Sequence, residues 1–243
     1  MSTDHAIDFF SQHHPRLKIR SSSRAKHLRI NIPHLHEVVI TIPAGISQET
    51  ALEFYHSKKS WVLGNLAHMA ETQPPEALTP YPAFIDLNAL GQHWQIQYYP
   101  APHIRALVDH ARQILYVYAP TSPAAVYTVF RKWINNLALK HLIPWFQRHS
   151  IATGINYKQV KIRRQKSRWG SCSPQQVINL NCNLLFLPPE MVEYLFSHEL
   201  CHTLHANHSA AFWRTVAKVC PLYLQHDRNL NRTHKYVPWW AWL

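Results

Sequence analysis

The chain reads as an α+β protein, on three observations. Short runs such as residues 26–32 (KHLRINI) and 37–42 (EVVITI) alternate apolar and polar residues with the period of strands. Two long stretches, from about 48 to 70 and from 123 to about 148, instead repeat their apolar residues at helical spacing. A third helical stretch carries His198-Glu199-Leu200-Cys201-His202, the pattern H-E-x-x-H. Most of the strands fall ahead of residue 122. A β-rich N-terminal lobe with one long helix (1–122) is therefore expected before a metal-dependent domain (123–243).

Each element has a local reason. The first strand pair turns through a His/Pro segment, and Pro43-Ala44-Gly45 ends it. Ser47 is placed to cap the helix that carries Leu52, Phe54, Tyr55, Trp61, Val62 and Leu66. Four prolines between Thr72 and Pro82 mark a connector. Strands follow at 83–88, 92–99 and 113–118. Their aromatic residues suit cross-strand packing better than base stacking. Pro123 opens the second long helix, which Pro144 should bend or end. A strand near 157–163, the segment Ser167–Cys172 and a strand at 177–181 lead to the motif helix. That helix starts at Pro188-Pro189 and buries Met191, Val192, Leu195 and Phe196. Ser209 can cap a further helix ending at Pro221. The tail from Val237 to Leu243 holds three tryptophans and should dock on the body of the domain.

Composition narrows the class. With 243 residues, 47% of them hydrophobic, the chain can build a substantial core. Five glycines against 17 prolines suggest stiffened loops. No apolar run approaches the roughly 18 residues of a membrane span, and residues 1–20 lack a signal-peptide core. A cytoplasmic protein without a membrane partner is expected. The four cysteines, Cys172, Cys182, Cys201 and Cys220, form no C-x-x-C pair and read as reduced, mostly buried thiols. The net charge of +12 is uneven. Residues 1–125 hold 10 Lys/Arg and 9 Asp/Glu, whereas residues 126–243 hold 15 and 4. Lys158, Lys161, Arg163, Arg164, Lys166 and Arg168 form a stripe without an acid. It is either a solvated face or a surface for an anionic or nucleic-acid-associated partner.

On a helix of 3.6 residues per turn, His198 and His202 share a face and can converge on one Zn²⁺, with Glu199 beside them to manage a water proton. A catalytic zinc takes three protein ligands and keeps a fourth position open. Asp227 is the only acid after Glu199, so a downstream glutamate ligand is excluded. His205 lies on the same helical face as the other two. His208 has the spacing of H-E-x-x-H-x-x-G-x-x-H and is the better third ligand. Asn207 could end the helix there in a left-handed turn.

Several stretches together resemble the YgjP-like metallopeptidase domain family: R-W-G-S-C at 168–172, I-N-L-N at 178–181, L-P-P-E at 187–190, H-E-L-C-H at 198–202 and N-H-S-x-x-F-W at 207–213, with the N-terminal run from Arg24 to Trp61. The resemblance implies a zincin-like fold and a single Zn²⁺. It implies His198, His202 and His208 as ligands and Glu199 as the catalytic residue. In the 168–172 loop, Arg168 could bind an anionic group and the backbone at Gly170 could approach substrate; alternatively Trp169 is core and Gly170 a turn. Asn179 and Asn181 share a strand face that could line a cleft or fill a polar edge.

Three functions compete. The first is zinc-dependent peptide hydrolysis, with Glu199 as general base and His205, Arg168 or Tyr194 as oxyanion helper. The second is hydrolysis of a nucleoside triphosphate or similar phosphoanhydride at the same site, helped by the basic stripe although no Walker loop is present. The third is a nucleic-acid-associated binding module with a structural zinc. It would need a fourth ligand such as Cys172, Cys182 or Asp227.

Overall fold

Along Glu37–Pro43 (β3), Val38, Ile40 and Ile42 are buried and their neighbours half-buried, the period-two pattern of a strand covered on one face. The computed structural model describes residues 15–34, 37–72, 81–120, 122–165, 168–230 and 233–242. Most of the expected connector at 72–82, Lys166 of the basic stripe and Ser167 lie outside them. The protein is α+β, with six α-helices and three sheets among the described residues. Contacts divide the chain into two compact units, Met1–Leu78 and Thr79–Ala241, a boundary ahead of the one expected near 122.

In the first unit β3 is central. It pairs in parallel with β1 (Arg16–Ser22) and antiparallel with β2 (Arg29–His34). Its apolar face packs on Ala51, Val62 and Leu66 from two helices, α1 (Gln48–Ser57) and α2 (Lys59–Thr72). The single long helix expected here is thus two. Lys58, at φ −108° and ψ 8°, leaves helical geometry, and its N–H turns to Tyr55 O at 3.0 Å. Ser47 caps α1 as expected, its Oγ accepting from Thr50 N. The strand β1 is an addition to the expected elements; its Leu17 and Ile19 alternate with Arg16, Lys18 and Arg20.

The second unit holds a four-stranded sheet ordered β4 (Phe84–Leu87), β5 (Gln92–Pro100), β7 (Ile114–Ala119), β6 (Arg105–Asp109). These strands group with the motif-bearing half because their buried face packs on α3 (Pro123–Thr153). Trp94 meets Trp133 edge-to-face at 5.1 Å, and Tyr98 meets Phe130 at 6.4 Å. Helix α3 does not end at Pro144, which lies inside it. Proline removes one N–H, leaving the Lys140 carbonyl without its helical partner, and Lys140 is exposed to water. The helix ends instead at Gly154, whose φ of +70° suits only glycine without strain. The Trp-rich tail docks as expected, with Trp240 buried against Phe130 and Phe186.

A second, three-stranded sheet leads to the site. Its order is β8 (Gln159–Arg163), β10 (Val177–Asn181), β9 (Gly170–Cys172), so β9 is an edge strand, antiparallel to β10. Helices α4 (Pro189–Cys201), α5 (Ala210–Val219) and α6 (Tyr223–Leu230) complete the unit.

Candidate metal centre

Helix α4 carries the motif and is fixed in rotation before its histidines are reached. Met191, Val192, Tyr194, Leu195 and Phe196 are buried. Phe196 meets Phe146 of α3 edge-to-face at 5.1 Å. Trp145 Nε1–H donates to Glu193 Oε1 at 3.3 Å, and His149 Nε2 is hydrogen-bonded to the buried Ser197 Oγ at 2.8 Å. Apolar packing and two polar ties thus hold α4 to α3, and residues 198, 199 and 202 emerge in set directions.

The helix stops earlier than the sequence suggested. Cys201 is its last helical residue and His202 its C-cap (φ −68°, ψ −16°), and a turn follows in which Thr203, Leu204 and His205 donate to carbonyls of Leu200 and Cys201. Asn207 is not left-handed; its Oδ1 accepts from Ser209 N at 3.2 Å. Ser209 then caps α5 through Phe212 N. This route brings His208 back to the helix. Its Nε2 lies 3.1 Å from His198 Nε2, which is 3.2 Å from His202 Nε2.

The three nitrogens fit a metal. A tetrahedral ion with nitrogen ligands at about 2.0–2.1 Å sets neighbouring nitrogens roughly 3.3 Å apart. His198 Nε2 has one proton or one lone pair, yet two imidazole nitrogens crowd it, a set that a shared cation satisfies. Burial, then the neighbouring His202 and His208, push His198 down to about 4, with Asp227 pulling the other way. Burial also lowers His202. Both rings are therefore neutral at pH 7, the form that binds metal. His202 Nδ1 contacts the His205 carbonyl at 3.0 Å, an arrangement that leaves Nε2 for the ion. Among the described residues no other His, Cys, Asp or Glu joins this group.

His205 itself is turned away: its Nε2 is bonded to Thr215 Oγ1 at 2.9 Å. Tyr194, one turn before His198 and edge-on to its ring at 6.0 Å, donates its hydroxyl to Asp227 Oδ1 at 2.7 Å. Burial and that hydrogen bond raise the phenol's pKa. Two of the three oxyanion candidates are therefore engaged elsewhere, and Arg168 is exposed.

Glu199 is 5% exposed, and its Oε2 is buried without a hydrogen-bond partner. Burial pushes its carboxyl up to about 8, with Arg168 drawing it back. The carboxylate lies against β9. A Cβ on Gly170 would come within 2.5 Å of Glu199 Oε1 and 2.7 Å of its Cγ. Gly170 is thus the absence of a side chain where the acid must sit. Nothing in the motif spacing signalled this contact.

The neighbours in that loop divide. Trp169 is 7% exposed, and its carbonyl accepts from Asn181 N. Asn181, fully buried, donates through Nδ2 to the carbonyls of Gln165 and Arg168 and accepts from Asn183 N. Asn179 is half-buried and donates to Ser171 Oγ, its register partner on β9. Of the basic stripe, Lys158, Arg163, Arg164 and Arg168 are exposed and Lys161 half-buried. A groove of about 480 Å³ between α5 and α6 is lined by Ala210, Trp213, Ala217, Tyr223, Leu224 and Asp227.

A conserved-domain profile matches this arrangement's whole frame: the family model of the YgjP-like metallopeptidase domain aligns with residues 26–233. The chain belongs to the YgjP-like metallopeptidase domain family, which points to a metal-dependent hydrolase. Neither the curated proteins nor the solved structures returned a match. No helix among the described residues is long and apolar enough to cross a membrane.

Proposed function

We propose that the protein is a zinc-dependent metallopeptidase of zincin type, with His198, His202 and His208 as ligands and Glu199 as general base. The observation that carries this reading is the pairing of three converging Nε2 atoms with a buried acid whose Oε2 has no partner. When bound, zinc supplies Lewis-acid polarisation of the scissile carbonyl and of the attacking water. Glu199 takes that water's proton and later passes a proton to the leaving amine. Arg168 is the candidate helper for developing negative charge, because Tyr194 and His205 are already bonded. Gly170 keeps the edge strand close to the acid.

The exposed Arg163, Arg164 and Arg168 favour a second reading, phosphoanhydride hydrolysis of a nucleoside triphosphate by the same base. They equally suit an acidic or nucleic-acid-bound protein substrate. A structural zinc is the weakest reading, because Asp227 is bonded to Tyr194 and no fourth donor joins the histidines among the described residues. One assay separates the three. Unstructured polypeptides and nucleoside triphosphates are offered side by side to wild type and Glu199→Gln. Polypeptide cleavage that falls on the order of 10²-fold in the variant, with zinc retained, supports the peptidase. Cleavage of triphosphates alone, with KM raised when the three arginines are neutralised, selects the second reading. No turnover of either substrate selects the third.

A further inference from the structure

The three candidate ligands are held by different means. His198 lies within α4, half-buried and packed among aromatic rings. His202 is the helix's C-cap, with the His205 carbonyl at its Nδ1. His208 has neither support: it is exposed, in a turn outside any helix. What it does have is a flat neighbour. Its ring stacks on Trp213 at 5.7 Å with the planes 26° apart. Trp213 stacks in turn on Tyr223 of α6 at 5.5 Å and 23°. The preceding Phe212, fully buried, touches all three histidines, at 5.0 Å from His198, 4.5 Å from His202 and 4.9 Å from His208.

We propose that Trp213, backed by Tyr223, is the positioning residue that holds His208 at the metal. The inference rests on the ligand set proposed above. An exposed histidine in a turn loses rotamer and backbone freedom when a metal captures it. A ring already stacked on a fixed indole has given up that freedom on folding, so less is lost on binding. Hydrogen bonds to ligating histidines usually serve this purpose; here α5 supplies a planar wall, anchored one residue before by Phe212. Tyr223 keeps the indole from swinging away toward the groove it lines. Trp213 also meets His198 edge-on at 5.9 Å, but His198 is already fixed within α4, so the indole's positioning acts through His208.

Zinc affinity is measured by competition with a chromogenic chelator on the full chain, for wild type, Trp213→Leu, Trp213→Phe, His208→Ala and the double variant His208→Ala/Trp213→Leu. Leucine keeps apolar bulk at a half-buried site but removes the flat face; phenylalanine keeps the face. Trp213→Leu is expected to weaken zinc roughly tenfold or more. Trp213→Phe should recover most of the loss, and the leucine change should have little effect once His208 is gone. In the cobalt-substituted protein, the visible spectrum of Trp213→Leu should move toward that of His208→Ala. Wild-type affinity in Trp213→Leu, or an equal loss with and without His208, would overturn the proposal. Should Trp213→Leu fail to fold, Tyr223→Leu, expected to weaken zinc less but in the same His208-dependent way, decides in its place. If His208→Ala alone leaves zinc affinity unchanged, the ligand assignment has failed, and with it the positioning role.

Discussion

Gly170 and Glu199, twenty-nine positions apart in the chain, touch so closely that a Cβ on the first would stand 2.5 Å from Oε1 of the second. The backbone of an edge strand therefore forms one wall of the acid's chamber. Any side chain there must push the carboxylate off its position or push β9 away from α4.

Gly170→Ala is accordingly expected to retain about one zinc per chain while turnover falls by on the order of 10²-fold, the scale of losing a positioned general base. Metal content by atomic absorption and initial rates on the same sample check this. Turnover within a factor of about two of wild type would show that the acid tolerates displacement.

The histidines make a sharper pattern. Wild type is expected to hold about one zinc per chain, and His198→Ala, His202→Ala and His208→Ala should each deplete it. His205→Ala should keep it, because the ring at 205 is bonded to Thr215 and it is the backbone carbonyl that supports His202. Depletion in His205→Ala with retention in His208→Ala would reverse the assignment.

Metal-free protein should report the buried acid through pH. Burial raises Glu199 from its ordinary 4.5 to about 8, so the folded chain keeps a proton that the unfolded chain has released. The stability this contributes is complete below about 4.5 and is lost as pH rises through about 8. Glu199→Gln has no such proton to lose. Denaturant melts of the metal-free proteins should show the variant gaining on wild type across that window as pH rises. Parallel curves would mean the carboxylate is not desolvated.

Much of the candidate site is legible in residue order, because its first part is local. H-E-x-x-H needs only the 3.6-residue turn to put His198 and His202 on one face with Glu199 beside them, and an amphipathic stripe from Met191 to Phe196 is enough to form that helix. The α+β class followed in the same way from the alternation in 37–42 and the helical repeat after 123. The choice between His205 and His208 turned on where a helix stops and which way the chain then runs. Asn207 does not end it in a left-handed turn. The helix ends at Cys201 with His202 as its cap, and the ring of His205 is drawn off by Thr215, a residue of the next helix.

The rest depended on contacts between residues far apart in the chain. The long helix expected at 48–70 breaks at Lys58, while the one expected to falter at Pro144 continues to Thr153, since an exposed turn tolerates one missing hydrogen bond. Strands β1 and β6 are short or charged and form only because a neighbour supplies their hydrogen bonds. Gly170 and Asn181 carried no local mark of their tasks. One leaves space for an acid on another element, and the other ties down the carbonyls of residues 165 and 168. Spacing along a chain encodes what lies within a turn or two of helix. Which backbone meets which side chain across a sheet edge is settled only when the layers pack, because close packing leaves each such contact a single arrangement.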